Sequence, residues 1–217
     1  MPRPTRAIAI HALNTAKSIQ HETELKWKTS YYGGVGTGHV ISVRGTKIDI
    51  SNNITQGDTR STRTGDVITP TSIRIKGTFN QAASYSASAS FVRMMIVKSI
   101  GDFDVPSTPD TTVLEYDNGS PTSQVLAFKS DDNRRKFVIL YDHVFNLNKN
   151  LAIGTKGSQY FEVVLKKDLG QIYYREGAAN VEAGNIHLVL FSDNTIHEDP
   201  TDNPSYQLMC RLYWKDC

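Results

Sequence analysis

ITQGDTRSTRTGDVITPTSIRIKGTF, residues 54–79, is a polar, glycine-punctuated loop running into a strand, and its reading decides the fold. Ile73 and Ile75 alternate with Arg74 and Lys76, so one face of this strand is buried and the other wet. The loop before it is too polar for a core, yet it carries Asp58, Arg60, Arg63 and Asp66, four charges that need partners.

The same alternation recurs on both sides of this stretch. Phe161, Val163 and Leu165 share one face and Glu162 and Lys166 the other, while Tyr206, Leu208, Cys210, Leu212 and Trp214 form a five-residue stripe. Strand-like segments fall at residues 23–30, 39–43, 47–50, 72–79, 91–99, 113–116 with 125–128, 135–146, 160–167, 171–175, 185–191 and 206–215. Most are bounded by Gly, Pro, Asn, Asp or Ser clusters. This many strands without intervening helices imply an antiparallel sandwich or barrel. The long polar connections 101–112 and 193–205 favour Greek-key crossings over tight hairpins. Only residues 6–20 read as a helix, with Thr5 as cap and Ile8, Ala12, Ala16 and Ile19 at helical spacing; it is too short to stand alone.

The 217 residues suffice for one buried domain, expected here as residues 22–217 behind an arm of residues 1–21. Net charge is +2, unevenly placed. The arm holds Arg3, Arg6 and Lys17 and no acid; the other residues carry 21 Lys and Arg against 22 Asp and Glu. A basic, acid-free helix suits phosphate contact without base readout. No apolar run is long enough to span a membrane, and the N-terminus makes a poor signal peptide. Two cysteines make neither a disulfide framework nor a structural zinc site.

Catalytic and cofactor motifs fail on context. GGVGTG at residues 33–38 precedes a strand rather than a helix and has no Gly-Lys-Ser/Thr, so it is a surface loop and not a phosphate cradle. The six histidines show no metal-ligand spacing on one element, and Asp142 and His143 point to opposite faces of a strand. The acidic runs at residues 101–104 and 197–202 match no calcium loop and read as solvated turns. Arg134, Arg135 and Lys136 are either a nuclear-import or nucleic-acid patch or a charged strand start beside Asp131 and Asp132. No acid, base and nucleophile converge, so no enzyme is expected.

Taken in order, several segments resemble the single jelly-roll coat proteins of the smallest icosahedral viruses. Residues 6–27 are similar to the arm helix and first strand of satellite tobacco necrosis virus and of circular Rep-encoding single-stranded DNA viruses. Residues 54–79 are similar to their QGD loop and following strand, FVRMMIV at 91–97 to the next, and TPDTTVLEY at 108–116 to a satellite-virus segment. RKFVILYDHVFNL at 135–147 resembles a strand of both groups, and NIHLVLFSD at 185–193 and LYWKD at 212–216 their last two. LYWKD and FVRMMIV sit closer to the DNA viruses.

The resemblance implies an all-β, eight-stranded antiparallel jelly roll of two four-stranded sheets with a short N-terminal helical arm. It further implies a virion shell of sixty copies (T=1) around single-stranded DNA, or RNA, made inside the host cell, in the cytoplasm or the nucleus. The arm would turn inward and meet its threefold neighbours. On that reading Arg3, Arg6, Lys17, Arg74, Lys76 and Arg93 contact nucleic acid, and Asp58, Arg60, Arg63 and Asp66 lie at subunit contacts. Glu22, Glu24 and Asp216 stand where the satellite virus binds structural calcium, and no other cofactor is implied. Residues 101–112 and 115–123 become candidate attachment loops. The arm departs from the family in being short: sixty copies of three charges give roughly 180 against on the order of a thousand phosphates, as if a longer arm had been removed. The competing reading is a soluble lectin-like jelly roll stacking sugars on Trp27, Tyr31, Tyr32 or Trp214.

Overall fold

The computed structural model describes residues 25–33, 39–81, 91–115, 124–147, 157–166, 169–193 and 203–217. The helix expected over residues 6–20, together with Arg3, Arg6, Lys17, Glu22, Glu24 and most of the glycine loop, lies outside the described residues.

Among the described residues, eleven strands and one helical turn follow in order: β1 (Lys26–Tyr32), β2 (His39–Val40), β3 (Thr46–Asp49), β4 (Val67–Asn80), β5 (Phe91–Ser99), α1 (Asp110–Val113), β6 (Phe137–Asn146), β7 (Ser158–Leu165), β8 (Ile172–Tyr174), β9 (Val181–Ala183), β10 (Ile186–Ser192) and β11 (Ser205–Asp216). The protein is nearly all-β, as its alternation predicts. A seven-stranded sheet runs β1-β11-β4-β8-β9, with β7 also on β4 and β2 on β11, and a four-stranded sheet runs β3-β10-β5-β6. The expected pair of four-stranded sheets is therefore unequal: β2, β8 and β9 add to the margins of one.

β4 is the spine of the larger sheet. Ile68, Ile73, Ile75 and Phe79 are buried while Arg74 is exposed. The strand pairs with β11 along its length and with β7 and β8 on its other side. Pro70 has no N–H to give the ladder, and the register with β11 shifts there, between Tyr213 and Trp214. Gly77 lets the strands close: a Cβ would sit 2.4 Å from Gln207 O and 2.8 Å from Leu208 Cβ.

The inward residues of both sheets form the main core, with Phe79 stacked on Phe161 at 4.4 Å and tilted against Phe145 at 5.2 Å. A second cluster lies on the other side of the smaller sheet, where Met95, Val97, Val189 and Phe191 are covered by Val105, Val113, Leu114 and Phe137. With both faces covered, every residue of β10 is buried, which is why IHLVLF reads as an apolar run and not as an alternation. The same packing corrects the strands expected at 113–116 and 125–128. Pro109 starts a single turn, Val113 N donating to Pro109 O at 2.8 Å, and one bridge joins Leu114 to Lys129. Val113 and Leu114 are apolar because they roof the sheet, not because they belong to it.

Candidate functional site

The outward residues of the larger sheet meet in rows fixed by register. Trp27 lies opposite Tyr213. Thr29 lies opposite Arg211, which pairs with Arg74 and then Val164; Tyr31 lies opposite Met209, which pairs with Lys76 and then Glu162. Tyr160 on β7 is opposite Thr78. Aromatic rings thus flank a centre of cations. Tyr31 is 76% exposed, Tyr160 61% and Trp27 37%.

The cations are held in defined positions. Arg211 donates from Nε to Thr29 Oγ1 at 2.7 Å, and its guanidinium lies 4.5 Å over the Trp27 ring. Arg74 and Lys76 share Glu162, at 2.6 Å and 3.2 Å, and Tyr160 OH donates to the same carboxylate at 3.4 Å. Hydrogen bonds from Arg74 and then Lys76 hold the Glu162 carboxyl below its usual range. Lys215 is exposed at the end of β11. The face can offer cations to phosphates and flat rings to bases. Arg211 and Tyr160 are absent from the residues singled out in the sequence, and Tyr31 figures there only as a sugar-stacking candidate, although each holds an outward position beside a buried stripe.

Arg93 is not on this face. It is buried against the smaller sheet, with Nε and Nη2 donating to both oxygens of Asp142 at 2.8 and 2.9 Å and Nη1 donating to Ala127 O at 2.6 Å. Burial pushes the Asp142 carboxyl up, but Arg93 and Lys129 outweigh it and hold it below its usual range. A guanidinium saturated inside its own chain cannot serve as a nucleic-acid contact.

Arg63 is corrected for the same reason. It is fully buried; Nε donates to Ile54 O at 3.3 Å, Nη2 to Ala178 O at 2.5 Å, and Nη1 to Gly65 O and, at 2.6 Å, to Asp66. The guanidinium carbon lies 4.5 Å from the Tyr174 ring centre. Arg63 and Asp66 are partners of each other within the chain. Asp58 and Arg60 stay exposed on the same loop.

One oxygen of Asp216, the buried Oδ1, makes no hydrogen bond, while the other is taken. Lys26 Nζ sits 2.7 Å from its Oδ2, which also accepts from Thr64 N at 3.2 Å. Burial raises its carboxyl, and these donors more than offset that, leaving it below the usual range. Among the described residues, Asp49, Asp104 and His187 form the tightest acid–imidazole group. His187 Nδ1 is 2.6 Å from Asp49 Oδ1 and Nε2 is 3.2 Å from Asp104 Oδ1. Lys47 Nζ, 3.0 Å from Asp104 and 3.6 Å from Asp49, already fills the cation position. In the basic cluster at 134–136, Arg134 sits on Asp131 at 2.5 Å and Lys136 lies over the Phe103 ring, while Arg135 is exposed.

Of the aromatics weighed for sugar stacking, Trp214 is fully buried, and Tyr32 turns inward, its OH donating to Asp49 O at 2.8 Å. Leu126 and Phe128, in the connection before β6, are by contrast strongly exposed beside a groove that also holds Lys129, Asp131 and His143. None of the described helical segments is long and apolar enough to cross a membrane.

No protein-family profile matches the chain, and no curated protein matches it. Among solved structures it is similar to a chain of the infectious bursal disease virus VP2 subviral particle, at 9% identity and a TM-score of 0.25. The alignment covers 89% of this chain and 32% of that one, so the protein spans about a third of that neighbour's length.

Proposed function

We propose that this chain is a viral coat protein, a jelly roll that self-assembles into a closed shell around single-stranded nucleic acid. The observation that carries this is the nesting of its strand pairs. β1 pairs with β11, β3 with β10, β4 with β7 and β5 with β6. Such nesting describes an antiparallel ribbon folded double and wound into two facing sheets, the arrangement shared by capsid jelly rolls. The ordered coat-protein motifs lie on these strands: FVRMMIV on β5, NIHLVLF on β10 and LYWKD on β11.

On this reading the protein is structural and not catalytic, and its virion holds sixty copies with T=1 symmetry. The DNA-virus group is favoured over the RNA satellite by its β5 and β11 motifs, and the arm of residues 1–21 turns inward. The basic face of the larger sheet lies toward the genome, and the exposed loops, including Asp58, Arg60, Leu126 and Phe128, make subunit contacts. Structural calcium at Asp216 would share that carboxylate with Lys26, which lies 2.7 Å from Oδ2.

Sedimentation velocity and negative-stain microscopy of the purified protein, across salt and calcium concentrations, test the proposal. Shells of uniform small diameter are expected. A strictly monomeric species under every condition overturns it. Sequencing nucleic acid recovered from particles then separates DNA from RNA.

A further inference from the structure

We propose that the outer face of the seven-stranded sheet is a stacking platform for single-stranded nucleic acid, binding bases on Tyr31, Tyr160 and Trp27 and phosphates on Arg74, Lys76 and Arg211. The inference deepens the coat-protein reading and rests on it for the ligand being a genome, but the binding itself belongs to the subunit.

Three observations meet on this face. The first is its accessibility: Tyr31 and Tyr160 stand largely in solvent on the two flanking strands, β1 and β7. A single exposed aromatic is ordinary, but rings on both flanks of a cation row are the arrangement that sequence-tolerant single-strand binders use. The second is spacing. From β1 across β11 and β4 to β7 is three strand separations, about 14 Å. A single strand of a few nucleotides covers that, so bases at its ends reach both flanks while its backbone crosses the cations. The third is charge. Arg74, Lys76 and Arg211 face outward with Glu162 the carboxylate between them, which leaves an excess of positive charge.

Chemistry selects the class of ligand. A duplex keeps its base faces stacked internally and can use only the cations, whereas a single strand can use cations and rings together. Glu162 is the competitor: it occupies Arg74 and Lys76 at 2.6 and 3.2 Å, so phosphate must displace it. Removing its charge should strengthen binding. Arg211, stacked on Trp27, fixes one ring and leaves its outer face for a base.

The full chain reports on itself, because Trp214 is buried and Trp27 is not. Tryptophan emission is followed on adding a twelve-nucleotide oligothymidylate, an abasic oligomer with the same phosphates, and a duplex of equal length. The oligothymidylate is expected to quench emission and bind at least about tenfold tighter than the abasic oligomer and the duplex. The Tyr31→Ala/Tyr160→Ala pair should lose that advantage while still binding the abasic oligomer. Glu162→Gln should tighten both and steepen the salt dependence by up to about one ion. These tyrosines are exposed, so circular dichroism of the double variant should match the parent. Equal binding of oligothymidylate and abasic oligomer, or binding without quenching, overturns the platform. Sedimentation of the same preparations keeps the two readings apart. Shells with no preference for bases leave the coat protein standing and remove the platform, and a base-preferring monomer that never assembles does the reverse.

Discussion

Arg63→Ala should cost roughly a third or more of the folding free energy of a domain this size. The side chain is fully buried and donates to the carbonyls of Ile54, Gly65 and Ala178 as well as to Asp66. Truncation leaves three carbonyls without their donor, each costing about 1–3 kcal/mol if water cannot reach it. Asp66 is 39% exposed and re-solvates, so its share of the pair is small. The cation over Tyr174 is lost too. Partial entry of water lowers the sum, and a loss of about 3–5 kcal/mol is expected, as for other broken buried pairs. Domains hold only about 5–15 kcal/mol in all. Arg63→Lys keeps the charge but cannot spread its donors over acceptors on three segments, and should cost about 2 kcal/mol. Urea titration followed by tryptophan emission measures both. Charge reversal at Arg63 therefore cannot separate assembly from folding, because Glu at this position faces three carbonyl oxygens. A loss below about 1 kcal/mol for Arg63→Ala, or an Arg63→Glu protein that folds and forms normal shells, refutes the reasoning.

Acid should weaken the fold through Asp49, Asp142 and Asp216, whose carboxyls are held below their usual range. The leading cause for Asp49 is its hydrogen bond from His187, whereas for the other two burial opposes and their cationic partners prevail. A depressed carboxyl stabilises above its unfolded value, about 3.9, and that contribution fades as pH falls through the folded value. Urea midpoints should thus be level from pH 7 to about 5 and drop below about 4; a midpoint unchanged at pH 3 contradicts the geometry. Burial pushes the Cys210 thiol up to about 12, while Cys217 is exposed. A thiol reagent at pH 8 should label Cys217 alone in the native protein and both cysteines in urea. If the exposed Leu126 and Phe128 seat against a neighbouring copy, Leu126→Ser/Phe128→Ser should abolish shells and move the urea midpoint little. Normal shells from that variant would place the subunit contact elsewhere.

What could be read from the sequence was whatever a strand writes with a period of two. Ile73 and Ile75 against Arg74 and Lys76, and the stripe from Tyr206 to Trp214, each report one wet and one dry face, and the structure keeps both. The period fails where a second layer covers the wet face. Val113, Leu114 and Ala127 carry the apolar content of a strand because they pack over β5 and β10, and nothing local separates a roof from a rafter. The buried arginines were misread for a related reason. Charge is visible in a sequence, but Ala178, which accepts from Arg63, lies 115 residues away, and Gln124 and Ala127 stand more than 30 residues from Arg93. Their acceptors are backbone carbonyls, which every residue possesses and no composition reveals. Conversely, the outward tyrosines needed no distant partner to be recognised, only attention to the other half of each alternation.

In the proposed shell the two buried guanidiniums also bear on assembly, through the loops they fix. Arg63 ties residues 54–66 to residue 178, and Arg93 ties residues 124–127 to β5 and β6. Those are the loops that present Asp58 and Arg60 on one side and Leu126 and Phe128 on the other. A contact made by a loop already fixed in the free subunit spends less conformational entropy on association than one ordered at the encounter. Arginine suits the task because its planar fork holds several carbonyls at once, while a lysine in its place would leave most of them unpaired. The charges that remain for partners are those the core does not consume: the cations of the outer sheet face and the exposed loop residues. Weakening Arg63 or Arg93 just enough to keep the fold should therefore raise the protein concentration needed for assembly, in proportion to the mobility it restores to the loop.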